Sequence, residues 1–122
     1  MRSSILFQKG NRKMKIYNKL VRDKIPDIIQ AKGEKAVVRE IPQENMMECL
    51  KKKLFEEVQE YLEAGNVEEL ADILEVFLAI LDNTGLTYEE LDKLRIQKAT
   101  ARGGFSKRIY LEYVVELSDR ET

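Results

Sequence analysis

A mainly α-helical, antiparallel helical bundle with minor short β-strands is the fold class the sequence predicts, and three observations predict it. Apolar residues recur at steps of three and four along two long segments. Chain-breaking residues separate these segments by only a few positions, and a third segment opens on a capping box. At 122 residues the chain is long enough to bury a core without staples. Residues 1–13 are polar and basic around a three-residue apolar core, too short for a secretory signal, and a well-patterned segment begins at Met14. We therefore expect 1–13 to be a disordered N-terminal extension and 14–122 to be one domain.

A first short helix is expected over about 23–32, with Pro26 tolerated in its first turn and Gly33 as its stop. "AVVREI" (36–41) is β-branched, short and closed by Pro42, and reads as a strand. A second helix over about 44–64 carries Met47, Leu50, Leu54, Val58, Tyr61 and Leu62 at helical spacing. "AGN" (64–66) breaks it, and Asn66 is the expected N-cap of a third helix over about 67–83 that ends near Gly85. Thr87, with Glu90 three residues on, caps a fourth helix to about 101. After "RGGF" (102–105), "RIYLEYVVEL" (108–117) sets Ile109, Leu111, Tyr113, Val115 and Leu117 on one face and reads as a terminal strand. The short connections make helices two, three and four antiparallel neighbours. Phe55, Tyr61, Phe77 and Phe105 are expected in the core, and no aromatic box for a base is legible.

Composition removes several functions. Hydrophobic residues at 43% and charged residues at 35% fit a soluble, helix-rich protein. Lys+Arg (21) and Asp+Glu (22) nearly cancel, so no basic field argues for nucleic acid as a partner. No apolar run reaches the ~20 residues of a membrane span. A single cysteine, Cys49, rules out an internal disulfide framework and fits the cytoplasm. The absence of histidine excludes Ser-His-Asp and Cys-His nucleophile pairs, a histidine base and His-rich metal sites. A metal, if used, must be a hard cation held by oxygen: magnesium, manganese or calcium.

The carboxylates are the informative residues. From Leu70 to Leu81 only Asp72 and Glu75 are polar, and a helix apolar nearly all round sits inside a structure or at an oligomer interface. Burying a carboxylate there is costly without a partner, and the third helix contains no Lys or Arg. Glu69, Asp72 and Glu75 follow one another at steps of three on one face. In the second helix, Glu57 and Glu60 are three apart and Glu56 and Glu60 four apart. A helical hairpin can bring Glu57, Glu60, Glu69 and Asp72 together, and four converging carboxylates repel unless a divalent cation joins them. The competing reading is a solvated helix face. It suits Glu56, Glu63, Glu68, Glu89 and Glu90, and spacing alone leaves both readings open for Glu57 and Glu60.

"EEVQE" (56–60) followed by "ELAD" (69–72) resembles the metal-binding signature of the MazG-like all-α nucleoside triphosphate pyrophosphohydrolase superfamily. That signature is ExxE on one helix and ExxD on the next. "YNKLVRDKIP" (17–26) and "KATARGGFSKRIYLE" (98–112) resemble its phosphoribosyl-ATP pyrophosphohydrolase-like branch, and the resemblance spans about residues 16–117. The spacer between the paired motifs is shorter than in many members, and the histidine-biosynthesis enzyme lacks a "KLVRDKIP" segment, so the substrate stays open.

The resemblance implies a bundle of the all-α NTP pyrophosphatase type. It further implies Mg²⁺, with Mn²⁺ as a substitute, on Glu57, Glu60, Glu69 and Asp72. The reaction it implies is hydrolysis between the α and β phosphates to a monophosphate and pyrophosphate, as in house-cleaning of noncanonical nucleotides. The catalytic base is then Glu57 or Glu60. Lys19, Arg22, Lys98 and Arg102 are expected to bind substrate phosphate, with Gly103 and Gly104 allowing close backbone approach. The alternatives are a solvated surface for Lys24 and Lys98 and an Arg22–Asp23 ion pair. Glu75 is either a further ligand or an acid paired with an unidentified base. A homodimer or higher homo-oligomer is expected from the family and from the apolar third helix. The competing functions are a non-catalytic module that binds a nucleotide or a protein partner, and a purely structural bundle.

Overall fold

In the computed structural model, residues 5–9 and 12–118 are described, and the chain divides into two compact units, Met1–Leu86 and Thr87–Thr122. The first unit contains strands β1 (Ile5–Lys9) and β2 (Arg12–Ile16) and helices α1 (Ile25–Ala31), α2 (Met46–Ala64) and α3 (Val67–Thr84). The second contains α4 (Tyr88–Arg102). The secondary structure is thus mainly helical, as expected. Among the described residues no helix is long and apolar enough to cross a membrane.

Two residues turn the chain between α2 and α3. Gly65 adopts φ +68°, a left-handed conformation that side chains disfavour, and its N–H donates to the Tyr61 carbonyl. Asn66 then caps α3, its side chain accepting from the Glu69 N–H at 3.1 Å. This cap puts Glu68 and Glu69 in the first turn of α3, where the helix dipole favours acids. Leu50, Val76 and Leu81 are buried in this unit, and so is Glu57. At the open end of the hairpin, Gln43 in a 3₁₀ turn (Gln43–Asn45) donates to Asn83 near the end of α3 at 2.7 Å. The capping box of α4 forms as expected, with Thr87 and Glu90 exchanging bonds of 3.1 and 3.2 Å.

Several expectations fail, each for a physical reason. Residues 5–9 and 12–13, assigned to a disordered extension, belong to the antiparallel pairing of β1 with β2, in register Ile5↔Ile16 to Lys9↔Arg12. Gly10 and Asn11 between them lie outside the described residues, but a Gly-Asn pair between two short runs is a hairpin signal in sequence. Neither 36–41 nor 108–117 is a strand. β-branched composition makes a strand only where a neighbour completes the ladder, and here Val37 and Val38 stay exposed. Phe55 and Phe105 are exposed, not core. The surface of α3 is not buried all round either: Val67, Leu70, Leu74 and Leu78 form an exposed stripe at steps of three and four.

Candidate metal centre

The α2–α3 hairpin brings Glu57, Glu69 and Asp72 together, with one carboxylate oxygen from each lying within 4.8 Å of the others. Glu57 comes from the inner face of α2 and keeps only 7% of its surface exposed. Glu69 and Asp72, one turn apart on α3, are part-buried. Glu57 Oε2 and Glu69 Oε2 are shut off from solvent and have no hydrogen-bond partner among the described residues. A buried, unpaired carboxylate oxygen is expensive, and an oxygen-only donor set of this kind fits a hard divalent cation. The three residues could together hold such an ion.

Internal cations offset part of the charge. Lys53, one turn before Glu57 on α2, lies 3.3 Å from Glu57 Oε1 and 3.4 Å from Glu56 Oε2. Lys19 donates to the other oxygen of Glu56 and sits 5.5 Å from the centre of the Tyr17 ring. Arg22 donates from Nη2 to Asp72 Oδ1 at 2.7 Å.

These environments move the acids in opposite directions. Burial pushes Glu57 above the usual glutamate range against the pull of Lys53, with the charges of Glu60 and Asp72 adding to the rise. Glu69 is raised by desolvation and by the charges of Glu60, Asp72 and Glu57. Burial also opposes ionisation of Glu56, but the Lys19 hydrogen bond and the Lys53 and Lys19 charges outweigh it and hold Glu56 low.

Beside the cluster lies a cavity of about 160 Å³ lined by Val21, Arg22, Ile25, Lys53, Glu56, Glu57, Glu60 and Asp72. A larger groove of about 490 Å³ runs along α4, lined by Tyr88, Glu89, Asp92, Lys93, Ile96 and Gln97. It is built from one helix, and its Asp92 is paired with Arg95 at 2.7 Å, so the convergent chemistry belongs to the smaller cavity.

Of the sequence-predicted residues, Glu57, Glu69 and Asp72 form the cluster, Glu60 lines the cavity, and Arg22 stands at Asp72 rather than Asp23. Lys19 is committed to Glu56. Lys98 and Arg102 are exposed near the end of α4 in the second unit. Gly103 adopts φ +84°, a backbone conformation that favours glycine. Glu75 is exposed, which removes its burial cost. Glu56, expected on a solvated face, is part-buried between two lysines. Lys53 is not among the sequence-predicted residues, although its spacing of three and four residues from Glu56 and Glu57 carries the signal. Comparison with protein-family models, with curated proteins and with solved structures found no match to this chain.

Proposed function

We propose that the protein is a Mg²⁺-dependent nucleotide pyrophosphohydrolase that cleaves between the α and β phosphates, releasing a nucleoside monophosphate and pyrophosphate. One observation carries this reading: Glu57, Glu69 and Asp72 converge within 4.8 Å, and two of them hold shielded oxygens without partners. Such an ion supplies charge neutralisation at the phosphates and Lewis acidity toward water. Glu57, Glu69 and Asp72, with Glu60 beside them, are the residues that would hold it, and Mn²⁺ is the expected substitute. With no histidine in the chain, the proton acceptor is a carboxylate, Glu57 or Glu60. Arg22, at the cavity rim, suits bidentate phosphate recognition.

The cavity of about 160 Å³ suits a phosphate group and a cation. Pockets for whole ligands run from about 300 Å³, so the base is recognised elsewhere. For Lys98 and Arg102, which belong to the second unit, phosphate contact rests on the "KATARGGF" resemblance alone. The same resemblance supports an antiparallel bundle of the MazG-like, phosphoribosyl-ATP pyrophosphohydrolase-like type, acting in the cytoplasm on noncanonical nucleotides. The exposed stripe Val67, Leu70, Leu74 and Leu78 supports a homodimer or higher homo-oligomer.

The test is pyrophosphate release from a panel of nucleoside triphosphates, diphosphates and phosphoribosyl-ATP, with and without Mg²⁺, for the wild type and Asp72→Asn. Turnover by the wild type that vanishes in Asp72→Asn supports the reading, and undiminished turnover in the variant overturns the metal assignment. A second reading is a non-catalytic helical module that binds a nucleotide or a protein. It is favoured by the internal cations, since Lys53 and Arg22 already neutralise part of the cluster. It predicts no Mg²⁺-dependent rise in Tm, whereas a true cation site stabilises the fold on binding.

A further inference from the structure

The cations at the cluster differ in how firmly they are held. Lys53 and Lys19 have side chains only 12% and 14% exposed, and both are fixed on Glu56. The Arg22–Asp72 pair is open to solvent, with side chains 53% and 38% exposed, and it ties two segments fifty positions apart in sequence. Exposed pairs of this kind contribute little and break readily. Yet Asp72 also offers an oxygen to the group it forms with Glu57 and Glu69, where the nearly buried Glu57 holds an oxygen shielded from solvent and without a hydrogen-bond partner. One carboxylate is thus claimed from two sides, by a guanidinium at the rim and by the cation-demanding cluster within.

We infer that Arg22 is an exchangeable occupant of Asp72: it holds the carboxylate when the cluster is empty, gives it up to the incoming divalent cation, and then turns to the substrate's phosphate. This rests on the Mg²⁺ reading of the cluster. The exchange needs only a side-chain movement, because Arg22 already lines the cavity beside Glu60 and Lys53. Carboxylate and phosphate present the same paired-oxygen edge to a guanidinium, so one side chain serves both in turn. Arg22 is then a positioning residue for Asp72 before it is a phosphate ligand. Its removal has opposite effects on the two binding steps.

The experiment measures Mg²⁺ binding calorimetrically on the full chain for the wild type, Arg22→Gln and Arg22→Lys, followed by inorganic pyrophosphate binding to the Mg²⁺-saturated proteins. The Arg22 guanidinium resonances are followed by NMR through both titrations, with Arg22→Lys fixing the assignment. Arg22→Gln is expected to tighten Mg²⁺ binding roughly three- to fivefold, the weight of an exposed pair. It is expected to weaken pyrophosphate binding by about tenfold, the weight of a charge-assisted contact. In the wild type the guanidinium signal shifts on Mg²⁺ and again on pyrophosphate. The exchange is overturned if Mg²⁺ binds the wild type but Arg22→Gln leaves its affinity unchanged or weaker, or if Mg²⁺ leaves the guanidinium signal unmoved. Absence of Mg²⁺ binding in every protein overturns the underlying metal reading, and the exchange with it.

Discussion

The hairpin of α2 and α3 and the unit that begins at Thr87 use apolar residues in opposite ways. The hairpin buries Leu50, Val76 and Leu81 and carries Glu57 inside with them. In the second unit no described residue is buried, and Phe105, Ile109 and Tyr110 are 97%, 83% and 88% exposed. Both regions carry strong sequence patterns, so pattern is not what separates them. A helical pattern with a neighbouring helix becomes a packed surface able to hold a charge out of water. A strand pattern with no ladder partner stays irregular, whatever its composition. Chemistry that depends on desolvated charge belongs to the first kind of region.

The largest test of this contrast is Asp72→Asn, expected to lower Mg²⁺-dependent pyrophosphate release by about 10²- to 10³-fold, the scale of losing one charge-stabilising group. Glu75→Gln, one turn away on the exposed side of the same helix, is expected to stay within about twofold. Equal losses in the two variants would show that exposure does not divide them. Lys53→Met strands Glu57 and leaves Glu56 to Lys19 alone, and urea unfolding is expected to register a loss of about 2 kcal/mol. An unchanged midpoint would mean the lysine is a bystander.

The pH dependence follows from the signs. Glu57 and Glu69 are raised, so their contribution to stability is full below the ordinary glutamate value of about 4.3 and is lost as pH rises through their elevated values. Glu56 is lowered, so its contribution is present above that ordinary value and is lost as pH falls through its depressed one. The Mg²⁺-induced rise in Tm is therefore expected to grow from mildly acidic to neutral pH, as Glu57 and Glu69 give up protons to the ion. A rise that is flat with pH would separate these two acids from the cation.

Oligomeric state tests the exposed α3 stripe. Leu74→Glu is expected to convert a dimer to a monomer in sedimentation, and a wild type that is already monomeric would remove the stripe from any interface. The smallest effects are expected at the caps. Asn66→Ala and Thr87→Ala should each lose about 1 kcal/mol of helix stability, but only Asn66→Ala should also weaken Mg²⁺ binding, because its cap sets the turn that carries Glu69. Equal effects on the ion would break the comparison.

How much of this was legible follows the range of each interaction. Helix positions were readable because Asn66, Gly65 and the Thr87–Glu90 box act within a few residues of where they sit. The cluster acids were readable for the same reason, as spacing on two helices joined by a short turn. Lys53 was legible in principle, at helical spacing from Glu56 and Glu57, but basic residues near acidic pairs are too common to single it out. The Arg22–Asp72 contact was not legible, since nothing local ties positions fifty residues apart. The failed strands at 36–41 and 108–117 belong with that contact. A ladder needs a partner, and local sequence does not name one.

The bond from Gln43 to Asn83 gives the hairpin a second closure, opposite the Gly65–Asn66 turn. With α2 and α3 tied at both ends, an ion that bound Glu57 would enter past side chains at the cavity rim, Arg22 among them, and rotamer hops there take picoseconds to nanoseconds where helix displacement takes microseconds to milliseconds.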